Sequence, residues 1–297
     1  MGLAKPALRF IAREHKQKPF TGSVLILGRQ NVYATLTETR LLLLSEGITP
    51  ADLPPGEGLR TNIPSWFNTP QANNTTDAAF FKLLGATEVM ALDLSDFEGA
   101  DIVHDLNAPV SEEWHNRFNL IVDGGTIEHV FDVRQSFINI ASMLRPGGRI
   151  IHLSPTSNHV NHGFYQFSPT LFYDYYVANG FVGLKGFIFE YEIRFHDTRP
   201  WDFYEMRTSG LIASNRQLGT AFIAEKTMSS TVGQIPTQSF YTQMYEQNRT
   251  EQNRTVHSLL KAFVRRFLPP IAQTCIRNML RTDQTRKPWG LKRWDKF

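Results

Sequence analysis

The residues of this chain whose types could do chemistry sit at the ends of short apolar runs. Gly28 and Arg29 follow "SVLIL", Asp93 follows "EVMAL", Asp105 follows "DIVH", and Asp123-Gly124-Gly125-Thr126 follow "FNLIV". The last run, "RIIHL", leads into "SPTSNHVNHGFYQFSP", which holds His159, His162 and Tyr165. Histidine near neutral pH takes a proton from a hydroxyl, so a strand-end loop with two of them is a candidate base for a hydroxyl-bearing acceptor. The opening turn is less orthodox. In "SVLILGRQNVYATL" only Gly28 is a glycine, and the G-x-G-x-x-G loop that cradles a pyrophosphate is missing. The turn still leads into Asn31 to Ser45, which reads as a helix. Its first N–H groups would bind a carboxylate, and Arg29 would pair with the same group.

The elements that must position these residues are legible from pattern. Residues 4 to 15 read as a short amphipathic helix before a strand at Ser23 to Leu27. Strands are expected at Glu88 to Leu92, Asp101 to His104, Phe118 to Val122, Arg149 to Leu153, Leu184 to Glu192 and Thr220 to Glu225. Helices are expected at Asp77 to Leu84, Phe131 to Leu144 and Ser168 to Asn179, the last capped by Ser168-Pro169 and stopped by Gly180. Short apolar strands alternating with helices predict a parallel sheet covered on both faces, an α/β fold. In such sheets ligands bind beyond the carboxyl ends of the strands, where the candidate residues lie. Residues 48 to 75, rich in Pro, Asn and Thr, form an inserted loop or lid with Trp66 and Phe67 at its centre.

With 297 residues, 41% of them hydrophobic, the chain has the length for a large core. No run approaches the roughly 20 apolar residues of a membrane helix, and no signal peptide is apparent. The chain therefore reads as cytoplasmic. One cysteine, Cys275, excludes an internal disulfide and a cysteine-rich metal site. From Lys261 onward ten Lys and Arg face only Asp283 and Asp295, interleaved with Phe263, Phe267, Trp289 and Trp294. That tail predicts affinity for an anionic membrane surface, peripheral at the inner face.

The stretch "FNLIVDGGTIEHVFDVRQSFINIASMLRPGGRIIHLSP" resembles the second half of a Rossmann-like, class I S-adenosylmethionine-dependent methyltransferase. "DLSDFEGADIVHDLN" and "HGFYQFSP" resemble an uncharacterised bacterial subgroup of that superfamily. The resemblance implies a doubly wound, mostly parallel seven-stranded sheet over residues 23–226. An N-terminal helix (1–22) would precede it, and a helical, basic C-terminal extension (227–297) would follow. It implies S-adenosyl-L-methionine as cofactor, with Asp93 on the ribose hydroxyls and Asp105 on the adenine amino group. Gly28, Arg29, Asp123, Gly124 and Gly125 would line the methionine end, with His129 packed beside the cofactor. His162 is the base that the resemblance favours, with Tyr165 the second catalytic candidate.

Glu128, His129 and His162 sketch a metal-ligand pattern, but Gly125 stands where a further Glu would complete a Glu-x-x-Glu-His turn, so no metal is expected. The reaction implied is methyl transfer to a small hydroxyl-bearing acceptor, a saccharide among them. A non-catalytic, cofactor-binding scaffold is the alternative, since the opening turn has lost its glycines. A nicotinamide oxidoreductase is disfavoured by the same loss. No nucleic-acid partner is expected: the turn after the fourth strand is Asp123-Gly124-Gly125-Thr126 rather than an Asn/Asp-Pro-Pro-aromatic turn, although that turn marks only amino-directed enzymes and leaves other nucleic-acid methylation open.

Overall fold

The computed structural model describes residues 2–54, 56, 58, 74–192, 200–206, 212–242 and 291–296. The sheet is built around Gly22–Leu27 (β2), whose run of buried residues serves two cores at once. Val24 and Ile26 face one cluster, and Leu25 and Leu27 face the other. Phe118–Asp123 (β7) alternates likewise, with Leu120 and Val122 on the first face and Ile121 on the second. Successive strand side chains point to opposite faces, so a strand covered on both sides must be apolar throughout.

Five strands are mutually parallel in the order β6-β5-β2-β7-β8, with Ala86–Asp93 (β5), Ile102–Val103 (β6) and Leu144–Ser157 (β8) joining β2 and β7. The chain winds outward in both directions from β2 and β7. That reversal opens a crevice at the carboxyl ends of β5, β2 and β7. Beyond β8 the sheet turns antiparallel through Gln217–Glu225 (β11), Val182–Tyr191 (β9) and Asp202–Met206 (β10). The last strand, Leu291–Lys296 (β12), pairs with β10. The sheet thus has nine strands: the seven expected, extended by β10 and β12.

Helices cover both faces. Lys5–Gln17 (α1) contributes Leu8, Phe10 and Ile11 to the first core, and Asp77–Leu83 (α3) contributes Phe80 and Phe81. Val133–Met143 (α4) and Pro169–Ala178 (α5) bury Phe137, Ile140, Phe172 and Tyr176 in the second. Their starts are side-chain capped: Asp132 accepts from the Gln135 N–H at 2.9 Å and Ser168 from the Thr170 N–H at 3.3 Å.

Two differences from the sequence reading matter. Asn31 to Thr35 is a strand (β3), not the start of a helix; Leu36–Ser45 (α2) begins after it. Val32, Tyr33 and Thr35 favour extended backbone. Thr35 and Glu38 then form a reciprocal capping box that fixes the helix start five residues downstream, at Leu36. β3 lies in a small second sheet with Gly2–Leu3 (β1) and Asn74–Thr76 (β4). In the C-terminal segment, β12 is a strand of the main sheet. Residues 243–290 of the C-terminal extension expected to be helical, with most of the basic tail, lie outside the described residues, as do Trp66 and Phe67. No helix among the described residues is long and apolar enough to cross a membrane.

Candidate active site

The crevice is assembled from the ends of β2, β5 and β7. The Gly28 N–H donates to the Leu92 carbonyl at 2.7 Å, and the Thr126 hydroxyl donates to the Leu27 carbonyl at 2.6 Å, so three strand ends are tied together. Gly28 has a φ of +64°, where glycine is favoured. A Cβ there would meet the Thr126 Oγ1 at 3.0 Å and the Asp93 Oδ2 at 3.7 Å. Asp93 Oδ1 accepts from the Leu94 N–H at 2.7 Å, while Oδ2 is directed at the Gly28 turn. Asp105 stands fully exposed beyond β6, and hydrogen bonds from the Asn107 backbone and side chain hold its carboxyl below the usual range.

The floor of the crevice is a buried network. Asp123 is wholly buried; its Oδ1 accepts from the Thr126 N–H at 2.9 Å, and its Oδ2 lies 2.8 Å from His152 Nδ1. His152 Nε2 lies 2.7 Å from the Tyr176 hydroxyl. With Nδ1–H donating to the carboxylate, Nε2 accepts from tyrosine, and the chain of contacts is complete. The side chain of Asp123, expected along the methionine end, is turned into this buried network and positions the 124–127 turn. His152, inside the strand run "RIIHL", carried no sequence signal beyond its polarity.

Three further expectations change. The turn after β2 ends in a strand, so no helix N-terminus is offered there. The Arg29 guanidinium is paired with Asp101 at 2.8 Å and Asp77 at 3.3 Å and donates to the Gly99 carbonyl, so it is a tether between loops rather than a carboxylate clamp. The Tyr165 hydroxyl donates to the Phe131 carbonyl at 2.7 Å, which ties it to the backbone instead of an acceptor.

Gln30, where sequence reasoning saw only a missing glycine, is buried. Its N–H donates to Asp77, and its side-chain amide donates to the Leu27 and Gly28 carbonyls. The amide oxygen lies against Gly124, where a Cβ would sit 2.7 Å from it. Gly124→Ala is therefore expected to destabilise the fold by about 1–3 kcal/mol, with most of that cost removed in a Gln30→Ala background. A urea double-mutant cycle checks this; equal costs in both backgrounds would show that the two residues do not meet.

On the other side of Thr126 the short 3-10 turn Ile127–His129 turns Glu128 inward and leaves His129 half exposed. The loop after β8 folds back onto it: the Phe164 and Tyr165 N–H groups both donate to the Glu128 carbonyl, at 2.8 and 3.2 Å. Asn158 and Asn161 take left-handed backbone within that loop. His162 Nε2 then stands 3.7 Å from Glu128 Oε1, and His129 Nε2 stands 4.0 Å from it. Burial raises the Glu128 carboxyl pKa and lowers that of His129. His159 is buried behind them, 3.4 Å from the Tyr191 hydroxyl. Phe131 and Phe164, both largely exposed, meet edge-to-face at 5.7 Å beside the cluster. The edge thus has two halves, joined by the 126–129 turn. Gly28, Asp93 and Thr126 form one, and Glu128, His129 and His162 form the other.

No protein-family model and no curated protein matches the chain. Among solved structures 109 chains match. The citrinin polyketide synthase CMeT domain is 12% identical, with a TM-score of 0.40, over 75% of this chain and 52% of that one. This chain thus spans about half the length of that relative. A SAM-dependent methyltransferase from Archaeoglobus fulgidus is 11% identical over 75% of this chain and 95% of that one, with a TM-score of 0.38. A Burkholderia thailandensis 1,6-didemethyltoxoflavin-N1-methyltransferase, solved with 1,6-didemethyltoxoflavin and S-adenosylhomocysteine bound, is 14% identical over 75% of this chain and 78% of that one, with a TM-score of 0.34. All three TM-scores lie below 0.5, and the functional reading rests on the side chains at the sheet edge.

Proposed function

We propose that the chain transfers a methyl group from S-adenosyl-L-methionine to a hydroxyl-bearing acceptor, small molecules and saccharides being the class in view. The observation that carries this is the convergence of a glycine turn, a strand-end carboxylate and a histidine–carboxylate cluster along one edge of a doubly wound sheet. Asp93 Oδ2, pointing at a turn that leaves room for no side chain, fits a ribose diol. Asp105, exposed beyond the neighbouring strand, fits the adenine amino group. When bound, the cofactor supplies an electrophilic methyl group on a sulfonium. The protein's share is then to hold donor and acceptor in line and to make the acceptor oxygen nucleophilic.

The 126–129 turn sets the spacing. Thr126 touches the Gly28 side, and Glu128 lies two residues on, about 4 Å of 3-10 rise. The acceptor hydroxyl sits against Glu128 and His162, which draw its proton away from the oxygen.

The binding half is tested by Asp93→Ala. Hydrogen bonds to a charged group contribute roughly 1.5–3 kcal/mol, so S-adenosylhomocysteine affinity is expected to fall about 10- to 150-fold in calorimetry. Unchanged affinity would take Asp93 out of the cofactor site.

A further inference from the structure

We propose that Glu128, His129 and His162 together hold one divalent first-row transition-metal ion with zinc-like ligand preferences. One carboxylate oxygen and two imidazole nitrogens lie within 4.8 Å of one another. Ligands about 2.0–2.2 Å from a tetrahedral ion stand roughly 3.3–3.6 Å apart. The observed 3.7 and 4.0 Å edges to Glu128 close on an ion with movements of a few tenths of an ångström, and the edge between the two imidazoles, within 4.8 Å, closes by side-chain rotation of about 1 Å.

The second observation is independent of that spacing. Glu128 is wholly buried, and neither of its carboxylate oxygens has a hydrogen-bond partner among the described residues; the same holds for His162 Nε2. A buried carboxylate without a donor is unfavourable unless it takes up a proton or meets a cation, and two imidazole nitrogens turned toward the same oxygen favour the cation. The cage is also held in place. Both the Phe164 and the Tyr165 N–H bind the Glu128 carbonyl, and Gly163 lies so close that a Cβ would meet that carbonyl at 2.8 Å and His129 Nδ1 at 3.2 Å.

The donor set chooses the ion. Magnesium and calcium select oxygen ligands, whereas two imidazoles with one carboxylate suit zinc and its first-row neighbours. Three protein ligands leave coordination positions open. His129 and His162 are partly exposed, so those positions face the mouth beside Phe131 and Phe164. An acceptor oxygen fits there, and an ion at that point would acidify the hydroxyl, so that with the ion bound Glu128 and His162 would act on the proton through the ion they hold and not as free bases. This use of the ion rests on the methyl-transfer reading, but its binding does not. The expectation of no metal followed from Gly125; the fold nonetheless brings Glu128, His129 and His162 together without a further Glu.

The test is cobalt(II) titration of the purified, metal-stripped full chain, read by visible absorption, with zinc(II) as competitor and magnesium as control. One equivalent of cobalt should bind, be displaced by zinc and be indifferent to magnesium. Outer-shell changes at metal sites already cost 10- to 100-fold in affinity, so Glu128→Gln and His129→Ala should each lose at least about that much. His129→Ala removes a half-exposed ring, so its fold is safe even if Glu128→Gln unfolds. Equal cobalt affinity of wild type and His129→Ala would overturn the proposal, as would no saturable binding. S-adenosylhomocysteine calorimetry on the same samples separates the two readings. Metal binding without cofactor binding sustains this site and removes the methyltransferase reading. Cofactor binding without metal binding does the reverse.

Discussion

Replacing His162 with alanine is expected to lower methyl transfer by about 100- to 10,000-fold, the usual contribution of a group that handles a proton in the transition state. Affinity for S-adenosylhomocysteine should stay within about threefold, a difference near RT. The asymmetry follows from the architecture. His162 sits on the loop after β8, beyond the 126–129 turn from Gly28 and Asp93, and touches the acceptor half alone. Its side chain is one-third exposed, so truncation leaves both cores intact. Single-turnover assays against a panel of hydroxyl-bearing acceptors, with cofactor binding followed in parallel, give the two numbers. Wild-type turnover on an accepted substrate would remove His162 from the chemistry. A parallel fall in cofactor affinity would move it to the other half of the edge.

His152→Leu is expected to be the most damaging substitution for the fold. Asp123 and His152 are both fully buried, and the second carboxylate oxygen has its short contact from that imidazole, with only a long 3.5 Å hydrogen bond from the Ser154 hydroxyl besides. Removing one partner of a buried pair leaves an uncompensated polar group, which costs about 3–5 kcal/mol. Tyr176→Phe removes only the far hydroxyl and should cost nearer 1 kcal/mol. Urea denaturation of both variants gives the comparison. A loss below about 1 kcal/mol for His152→Leu would mean that the carboxylate finds other donors and that the network is not what holds the 124–127 turn.

The strands were readable because a sheet buried on both faces demands unbroken apolar runs. "SVLIL", "EVMAL" and "FNLIV" became β2, β5 and β7 within a residue or two. The edge of the sheet was readable for the same reason, since each run ends at the polar residue that leaves the core. Helix starts were legible where a capping side chain marks them, as at Ser168. What stayed hidden depends on contacts far apart in sequence. Nothing near Asn31 says that Gly2–Leu3 and Asn74–Thr76 will pair with it, so local helical spacing misled there. Arg29 reads as a free cation until Asp77 and Asp101 arrive from other elements. Asp123 reads as a ligand until His152 is placed beneath it. Glu128 and His162 are 34 positions apart, and only the fold-back of the loop after β8 makes them neighbours.

The degenerate turn at Gly28 is expected still to serve a methionine-derived cofactor. Isothermal titration of the full-length chain with S-adenosylmethionine, S-adenosylhomocysteine and NAD tests it most directly. Saturable binding of both methionine cofactors at one site per chain, with NAD silent, is the result expected. Binding of neither, or preference for NAD, would contradict it.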